Sequence, residues 1–446
     1  MLNTMVKPRK ILIGPVEIAG YYRNLAEGFH QIGAPCDFIT YGSHPFGYGG
    51  ETEQPVLLRM ARWFGDFRRN RPRSWRTRLF ADLPWAVLVS IWAVWAILRY
   101  DVFIFGFGET LLPRNLDLPI LHKLGKTVIA NLGHGSEARP PYVDGAQQSA
   151  EGEAVSGAAL ISLTRRNKRR VTIHEKYCKI VIGAPYSTTQ FSSRRLINFF
   201  SLGIPIRLHA SAIISARPAN VKRSKTPVRI LHAPSHPAAK GTQQIVGAIE
   251  RLRSRGHAID LVLIIGQPFR EVVEALQNCD FVVDQLFSDT PMAGFATEAA
   301  WFGKPAVVGG YGLDRLKSYV PDGMWPPSKI CRPDDIEKAI EELIVDVDQR
   351  HRLGQEAQKF VREKWNPRAV AERFLRLIDG DIPEAWWLDP QAVTYVQGCG
   401  QSETRSRQMI QSLVETYGVP ALELEHRPNL RDAFLTFAGI PNSLGE

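Results

Sequence analysis

The chain has 446 residues, of which 44% are hydrophobic and 22% charged, and it carries a net charge of +10. This length exceeds the size at which one hydrophobic core stops growing, and the ordinary composition argues against a disordered or fibrous chain, so two or three domains are expected. The five cysteines are widely spaced and form no C-x-x-C pair, which disfavours a disulfide framework or zinc site and favours a reducing cytoplasm. The apolar run at 11–14 is too short for a signal peptide.

The positive charge is concentrated in two segments. Eight arginines between residues 59 and 78 face one acid, Asp66, and seven basic residues between 165 and 179 face only Glu175. The remainder of the chain is therefore slightly acidic. No nucleic-acid-binding signature accompanies these segments, so we expect no nucleic-acid partner and favour an anionic membrane or a phosphorylated ligand.

Short apolar runs alternate with helical patterns through both halves of the chain. In the first half, strands are predicted at 10–14, 37–40, 101–107, 127–131, 179–182 and 204–208, and helices at 21–32, 85–98 and 116–123. In the second half, strands at 229–232, 260–265, 281–284 and 306–308 alternate with helices at 242–255, 271–278 and 295–302. This alternation indicates α/β domains whose parallel sheets are covered on both faces.

The uncharged segment 83–98 places its tryptophans on one helical stripe. Sixteen residues are too few to span a bilayer comfortably, where about 20 are needed, so we interpret the segment as a buried helix on the first sheet. The arginines before it leave an alternative, in which residues 59–98 form an interfacial anchor on an anionic membrane.

A polar, proline-bearing segment at 216–227 is the predicted domain linker. We therefore expect an N-terminal Rossmann-like domain at 1–216, a second at 228–380 and a helical extension at 381–446. Helical patterns fall at 403–417 and near 430–437 within the extension, and its tryptophan, leucine and phenylalanine content indicates that it packs on the rest of the chain as a brace.

Two loops follow predicted strands of the first half, at the carboxyl edge where open α/β domains bind ligands. The first runs from Gly14 to Gly20; it lacks G-x-G-x-x-G, so a dinucleotide cofactor is not supported, and a plain tight connection is the alternative. The second contains His134 in a Gly-His-Gly turn, followed by Ser136 and Arg139. A lone histidine is often structural, but this turn and its charged neighbours favour a site facing a cleft.

The most informative stretch runs from residue 289 to residue 308. It predicts a loop containing Gly294, a short helix carrying Glu298, a Gly-Lys-Pro turn and a buried strand. Gly294 allows backbone to approach a ligand, and the amino end of the helix suits a phosphate. A carboxylate inside that helix can accept hydrogen bonds from vicinal hydroxyls, so the stretch favours a nucleotide-sugar pocket over an ordinary amphipathic helix with a solvent-facing glutamate.

This stretch resembles the signature of retaining GT-B glycosyltransferases of the group 1, or family 4-like, type: Glu-Gly-Phe-Gly, four residues, Glu-Ala, then Gly-x-Pro-Val. The resemblance covers roughly residues 9–380 and implies two doubly wound domains facing each other across a cleft. The chain departs from the signature at Thr290, where the family has its first glutamate. Asp289 is adjacent and could replace that carboxylate if the loop shifts by one residue.

The resemblance also implies roles for the residues that match. Lys240 and Gly241 fit the family's Lys-Gly, whose lysine holds the leaving diphosphate, but the partner arginine is replaced by Ser235, next to His236. Either His236 or Arg139 could supply the missing charge.

The remaining roles follow the same pattern. The loop from Gly14 to Gly20 would lie beside the donor phosphates, and His134 would touch the transferred sugar. The helix start at Gly294 and Phe295 would bind phosphate, while Glu298 would hold the ribose and Asp289 or Thr290 the donor sugar.

Two acidic motifs are interpreted as structural. Asp284 is expected to cap its strand end through local hydrogen bonds. Asp379-Gly-Asp381 ends a helix and is interpreted as a turn. No group of side chains has metal-ligand spacing, so we expect no essential metal and no cofactor beyond the donor itself.

The sequence thus predicts a cytoplasmic enzyme, peripheral on the inner face of a membrane. It would move a sugar from a nucleoside diphosphate sugar to a hydroxyl of a carbohydrate or lipid-linked acceptor with retention, in cell-envelope, polysaccharide or glycolipid assembly. One alternative is a nucleotide-sugar epimerase of the same fold. Another is a catalytically silent protein that binds a nucleotide sugar or a partner subunit, for which Ser235 and Thr290 are the evidence.

Overall fold

The computed structural model describes residues 9–42, 54–69, 78–147, 155–208 and 227–441, and its core is two separate sheets. The strands are β1 Ile11–Ile13, β2 Cys36–Phe38, β3 Val102–Gly106, β4 Thr127–Asn131, β5 Ile180–Gly183, β6 Leu196–Asn198, β7 Val228–His232, β8 Ile259–Leu263, β9 Phe281–Gln285, β10 Ala306–Gly309, β11 Lys329–Cys331 and β12 Trp387–Leu388.

The helices of the first half are α1 Tyr21–Gln31, α2 Val56–Arg69, α3 Leu83–Arg99, α4 Leu118–Lys123, α5 Gly157–Tyr177 and α6 Phe199–Leu202, with a π-turn at Arg78–Asp82 before α3. Those of the second half are α7 Pro237–Lys240, α8 Thr242–Ser254, α9 Phe269–Asn278, α10 Gly294–Trp301, α11 Leu313–Leu316, α12 Ile336–Val345, α13 Val347–Lys364, α14 Pro367–Asp379, α15 Glu403–Tyr417 and α16 Pro428–Phe437.

Both sheets have the parallel topology that the apolar runs predict. The first sheet has the order β12-β6-β5-β4-β3-β1-β2, with β12 alone antiparallel, and the second has the order β11-β10-β9-β7-β8. Strands such as β3, β5 and β9 are buried at every position because helices cover both faces of each sheet. The carboxyl ends of the strands therefore gather the loops of each domain along one edge.

The predicted strand at 204–208 is wrong. The sheet instead takes up β6, eight residues earlier, and the chain after α6 runs outside both sheets. Pro205 has no N–H to donate to a ladder, and the N–H of Ile206 donates to the carbonyl of Trp365 at 2.8 Å rather than to a strand. The chain at this point connects the two halves instead of extending a sheet.

The last third of the chain returns to the first sheet. Helix α14, predicted as part of the second domain, packs against α1 so closely that a Cβ on Gly28 would lie 2.0 Å from the carbonyl oxygen of Pro367. The extension then adds β12 to the edge of the first sheet, and α15 and α16 bury their apolar faces in the core of that domain. The predicted linker at 216–227 lies, apart from its last residue, outside the described residues, and the domain limits stay predictions.

The extension also crosses between the two halves, along a line that we call the seam, residues 395–400. The ring of Tyr395 stacks on that of Tyr186 with centroids 3.8 Å apart, and the Tyr186 hydroxyl donates to Gly312 O at 2.8 Å. The N–H of Cys399 donates to Val143 O of the first half, and that of Gly400 to Phe287 O of the second half, at 2.9 and 2.7 Å. The seam therefore bonds to both domains.

The second basic segment, 165–179, lies mostly on α5, and two of its seven basic residues pair with the extension. Lys168 contacts Glu423 and Glu425 at 3.2 and 2.7 Å, and Arg165 contacts Glu423 at 2.9 Å. Arg170 donates instead to the carbonyl of Glu137 at 2.8 Å. The other four, Arg166, Arg169, Lys176 and Lys179, are exposed, so the expectation that this segment binds an external anion stays a prediction.

Helix α3 is buried on one face only, so the interpretation of a buried helix on the first sheet holds for its inner face and is wrong for its outer face. Trp92, Ala93 and Ala96 are at most 1% exposed, whereas Ile91, Val94 and Leu98 are between 52% and 77% exposed. Within the described ranges, one helical run, Leu79–Arg99, is long and apolar enough to cross a membrane by length and composition. A third of its most apolar 18-residue stretch is buried in the protein.

Candidate active site

The carboxyl edges of the two sheets face each other across a cleft with two lobes. The first lobe is lined by the loops after β1, β4 and β9 together with the chain around α6. The second lobe is lined by the loops after β1, β7 and β8 and by the start of α10. The residues that line both lobes, and so make the cleft continuous, are Ile18, Ala19, Ala293, Gly294 and Glu298.

The two lobes meet where the loop after β1 approaches the amino end of α10. A Cβ built on Gly294 would lie 3.9 Å from the Cβ of Ala19, so the two domains are in near contact at this point. Ala19 has φ of 47°, in the left-handed region that residues with a Cβ seldom adopt, and strained backbone of this kind is concentrated at functional sites. The join is a strong candidate for ligand contact.

Helix α10 presents its amino end and one carboxylate to this join. The first N–H groups of a helix have no partner within the helix, so they can bind an anion that enters the cleft. Glu298, one turn further on, is 3% exposed and lines both lobes. The arrangement offers hydrogen-bond donors for phosphate and an acceptor for hydroxyl groups within one short helix.

The second lobe contains Lys240 at the end of α7. Its ammonium group donates to Oε1 of Gln285, whose amide donates to Ser288 Oγ at 2.7 Å; that hydroxyl donates in turn to the carbonyl of Thr290 at 2.7 Å. Gly241 follows in the left-handed conformation, and a Cβ there would lie 2.6 Å from the Cβ of Leu286. This chain of hydrogen bonds ties the position of Lys240 to the loop before α10.

Ser235 and His236, which precede the Lys-Gly motif, differ in whether they line the cleft. Ser235 lines the second lobe, at the position where the resembling family has arginine. His236 does not line either lobe; its Nδ1 accepts from the N–H of Ala239 at 3.2 Å and so caps α7. Among the described residues lining the second lobe, the cation is supplied by Lys240.

His134 lies in the first lobe against an aromatic cluster. Its Nε2 is 2.8 Å from the hydroxyl of Tyr22. The rings of Tyr21 and Phe199 pack against the imidazole, with ring centroids 5.1 and 5.9 Å from its centroid. Burial lowers the pKa of His134 to about 4, so the ring is uncharged at neutral pH. The histidine can therefore contact a substrate without adding a positive charge to the lobe.

Glu137 holds the turn that carries His134. Its Oε1 accepts from the N–H of His134 at 2.8 Å, and its Oε2 has no hydrogen-bond partner among the residues that the structure describes. Burial raises the pKa of Glu137 to about 7, against the opposing influence of Arg139 and Arg170. The carboxyl group therefore titrates near neutral pH.

This pKa predicts a pH-dependent stability. The unfolded chain loses the Glu137 proton near pH 4.5 but the folded chain retains it to about pH 7, so the folded state loses stability as the pH rises through this interval. Glu137→Gln should remove a destabilisation that reaches about 3 kcal/mol above pH 7. Denaturant unfolding of both proteins at several pH values measures it, with Glu356→Gln on the exposed face of α13 as control. A stability difference that does not change with pH would contradict the assignment.

Arg139 and Asp289 join the two domains across the first lobe. The Arg139 guanidinium donates to Asp289 of the second domain and, at 3.0 Å, to Asp144 of its own domain. The arginine is 5% exposed and paired with two carboxylates. The predicted use of Arg139 as a phosphate ligand would need this pairing to change, because its charge is already balanced.

The rest of the first lobe is apolar. Carbon-rich side chains form an apolar wall on the first domain and on the chain that connects the halves. They are Ile18, Tyr21, Phe199, Phe200, Ile204, Pro205 and Ile206, and Met292 adds to them from the loop before α10. This lobe suits a ligand with a sizeable apolar portion.

The structure brings most of the predicted site residues into one cleft. Those lining it are His134, Arg139, Ser235, Lys240, Asp289, Thr290, Gly294, Phe295 and Glu298. Those lining neither lobe are Gly14, Gly20, Ser136, His236 and Gly241, which shape the turns beside it. Sequence reasoning missed Ile18 and Ala19, although both lie in the loop it singled out, and it gave Gln285 no role.

The expectation that Asp284 caps its strand end through local hydrogen bonds is wrong: the residue is 3% exposed and lines the second lobe, and its Oδ2 has no hydrogen-bond partner among the described residues. The second acidic motif, Asp379-Gly-Asp381, behaves as local structure. Asp381 pairs with Arg376 at 2.9 Å after a left-handed Gly380, as a helix-ending turn requires. Within the described ranges no group of three or more histidine, cysteine or acidic side chains could hold a metal ion. The expectation of an enzyme without an essential metal stays a prediction.

Neither a protein-family model nor a curated protein sequence matches this chain. Similar solved structures exist, and glycosyltransferases are among them. A point mutant of S. aureus TarM, in complex with Fondaparinux, alpha-GlcNAc-glycerol and UDP, has a TM-score of 0.51 and 10% identity over 83% of this chain and 100% of TarM. HepE of Anabaena, in complex with UDP and glucose, has a TM-score of 0.44 and 12% identity over 84% of this chain and 100% of HepE.

These comparisons bear on the architecture. At 10% identity the TarM likeness is a likeness of fold, and it extends over most of this chain and all of the other. Together with the two parallel sheets and the cleft between them, it shows that the chain has the α/β GT-B fold that the sequence predicts.

Proposed function

We propose that the protein is a glycosyltransferase that moves a sugar from a nucleoside diphosphate sugar to a hydroxyl acceptor with retention. The observation that carries the proposal is the continuity of the cleft: Lys240, the start of α10, Glu298 and His134 all line one connected space. In the proposed roles, these groups would serve as phosphate donors, diol acceptor and reaction centre, which is the order in which a nucleotide sugar presents its parts.

The second lobe is the proposed donor site. The nucleoside would lie between β7, β9 and α10, with its ribose hydroxyls on Glu298. The diphosphate would lie against Lys240 and the amino end of α10, where positive charge stabilises a leaving group as its bond to the sugar breaks. UDP, which the TarM complex holds, is the first nucleotide to test.

The first lobe is the proposed site of the transferred sugar and the acceptor. The uncharged His134 would contact the sugar without repelling the positive charge that develops at the anomeric carbon. Asp289 or Thr290 would contact its hydroxyls. We assign no protein nucleophile, so the departing phosphate would deprotonate the acceptor hydroxyl on the same face, which gives retention.

The apolar wall of the first lobe supports an acceptor with a lipid or other apolar portion over a purely polar sugar. That preference fits a role in cell-envelope, polysaccharide or glycolipid assembly at the cytoplasmic face of a membrane. A carbohydrate acceptor would react through the same kind of hydroxyl group, but it would have no apolar portion to contact this wall.

A thermal-shift series with nucleoside diphosphates and their sugars tests the donor assignment, because a ligand of the folded state raises the unfolding temperature by mass action. A donor that stabilises the protein is then incubated with and without lipid-linked and carbohydrate acceptors. Transfer only with acceptor supports the proposal, while epimerised donor without acceptor would identify an epimerase. Nucleotide binding with no turnover on any acceptor would identify the silent binding protein, and no stabilisation by any nucleotide would overturn the proposal.

A further inference from the structure

Helices α2 and α3, with the π-turn between 78 and 82, form a two-helix layer on the outside of the first domain that we call the apolar hairpin. The two helices pack closely, since a Cβ on Gly65 would lie 3.4 Å from the ring of Trp85. Of the 20 large hydrophobic side chains that are exposed in the described part of the chain, 12 lie on this layer. They are Val56, Met60, Trp63, Phe67, Leu79, Phe80, Leu83, Val87, Ile91, Val94, Trp95 and Leu98.

Such a concentration is unusual for a surface that faces water. Trp63, Phe80 and Leu98 are 64%, 63% and 77% exposed, and apolar patches of this kind mark sites of contact with a protein or a membrane. The outward positions of α3 hold no acidic side chain, and the acids of the hairpin, Asp66 and Asp82, are only partly exposed. The outer face is therefore apolar along its length.

Basic residues accompany this face, two of them in the described structure and three more by their sequence positions. Arg59 and Arg99 are exposed on the two helices, and the Arg99 guanidinium lies 5.5 Å from the ring of Trp95. The sequence adds Arg68 and Arg69 at the end of α2 and Arg78 before α3, with no acid between residues 67 and 81. An apolar face bordered by arginines, with tryptophans between, has the chemistry of an anionic lipid surface.

We propose that the apolar hairpin docks the protein on an anionic bilayer by inserting its outer face into one leaflet while the arginines bind lipid phosphates. The hairpin lies on the bilayer and does not cross it. Trp92, Ala96 and Ile97 belong to the same buried core as Phe103 of β3, so α3 cannot leave the domain without exposing that core.

A second copy of this chain is the competing occupant. In a symmetric dimer the same surface meets itself, so the arginines around one hairpin would face those around the other. Within the described residues the hairpin offers too few exposed acids to pair with them, and like charges brought together disfavour association. Charge thus favours lipid phosphates over self-association.

Vesicle co-sedimentation of the full chain tests the proposal, with phosphatidylcholine vesicles that contain or lack phosphatidylglycerol. The hairpin variant is Phe80→Ser/Ile91→Ser/Leu98→Ser, and the control is Leu116→Ser/Val345→Ser/Val347→Ser, whose side chains are exposed to a similar degree elsewhere. We expect wild type and control to bind the anionic vesicles and the hairpin variant to bind them about tenfold more weakly or worse.

A second variant, Arg68→Ser/Arg69→Ser/Arg78→Ser, tests the contribution of the arginines to vesicle binding. It should lose affinity for anionic vesicles and also most of the salt dependence, because wild-type binding should weaken as salt rises from about 0.1 M to about 1 M. Circular dichroism and nucleotide-induced thermal shift check that each variant is folded and retains the donor site, so failure here leaves the proposed transferase activity standing.

Three outcomes would overturn the proposal. The first is wild-type protein that does not bind anionic vesicles at low salt, and the second is a control variant that loses as much binding as the hairpin variant. The third outcome is a dimer in light scattering that the hairpin substitutions dissociate while vesicle binding is unchanged, which would assign the face to self-association.

Discussion

Replacing Lys240 by alanine should lower kcat about 10²–10³-fold, because one preorganised charge that acts mainly on the transition state is worth this much. Affinity for the donor should fall less, since the lysine acts on charge that grows as the sugar–phosphate bond breaks. The effect is expected to be large because Ser235 leaves the second lobe without the additional arginine of the resembling family. Steady-state kinetics at saturating donor, together with titration of the nucleoside diphosphate, separate the two quantities.

Lys123→Ala provides the control, since this exposed lysine at the end of α4 lies outside both lobes. Gln285→Leu should give a smaller fall in kcat by freeing the lysine side chain, and it tests whether the hydrogen-bond chain positions that group. A Lys240→Ala protein whose kcat is unchanged but whose donor affinity is lost would show that the lysine binds ground and transition states equally.

Glu298→Ala should weaken nucleotide binding by about 1.5–3 kcal/mol, which is roughly ten- to a hundredfold in Kd. The residue is 3% exposed and lines both lobes, so its carboxylate can meet the ribose hydroxyls in a site largely shielded from water. Calorimetric titration of UDP and other nucleoside diphosphates gives the affinities directly.

Glu356→Ala, an exposed glutamate on α13 of the same domain, is the matched control and should leave affinity unchanged. A second test compares the affinities of both proteins for the 2′-deoxy nucleotide. If Glu298 binds the 2′-hydroxyl, the substitution and the missing hydroxyl remove the same contact, so their losses of binding free energy should not add. A folded Glu298→Ala protein with wild-type nucleotide affinity would refute the donor-site assignment.

Nine of the twelve strands could be predicted, because most of those nine are short apolar runs buried on both faces, whereas β6, β11 and β12 were missed. The failure at 204–208 shows the limit of that signal. The run around Ile197 and the run around Ile206 are similarly apolar, and the outcome depended on a proline and on a carbonyl of Trp365, about 160 residues away, that accepts from Ile206. Likewise, β12 pairs only two residues with β6, too few for any periodic pattern.

The candidate site was predictable where a local pattern had a local cause. Gly294 and Glu298 belong to one turn-and-helix unit, and Gly241 is required by the close approach of Leu286, so a motif could locate them. The pair Arg139–Asp289 and the contact between Tyr22 and His134 join residues 150 and 112 positions apart. A single sequence contains no signal for such contacts.

The sequence also could not predict how much of the helix at 83–99 is buried. Its tryptophans fall on one stripe, yet Trp92 is 1% exposed and Trp95 is 45% exposed. A stripe indicates which residues share a face, but it does not indicate how much of that face the domain covers.

The seam at 395–400 has a consequence for motion. Its backbone bonds to Val143 and Phe287 and its stacked Tyr395 attach the extension to both domains along one line, so pulling the domains straight apart would break all of these contacts together. Rotation about that line preserves them. If the second lobe is the donor site, release of a nucleoside diphosphate should involve rotation of the two domains about the seam, which acts as the pivot.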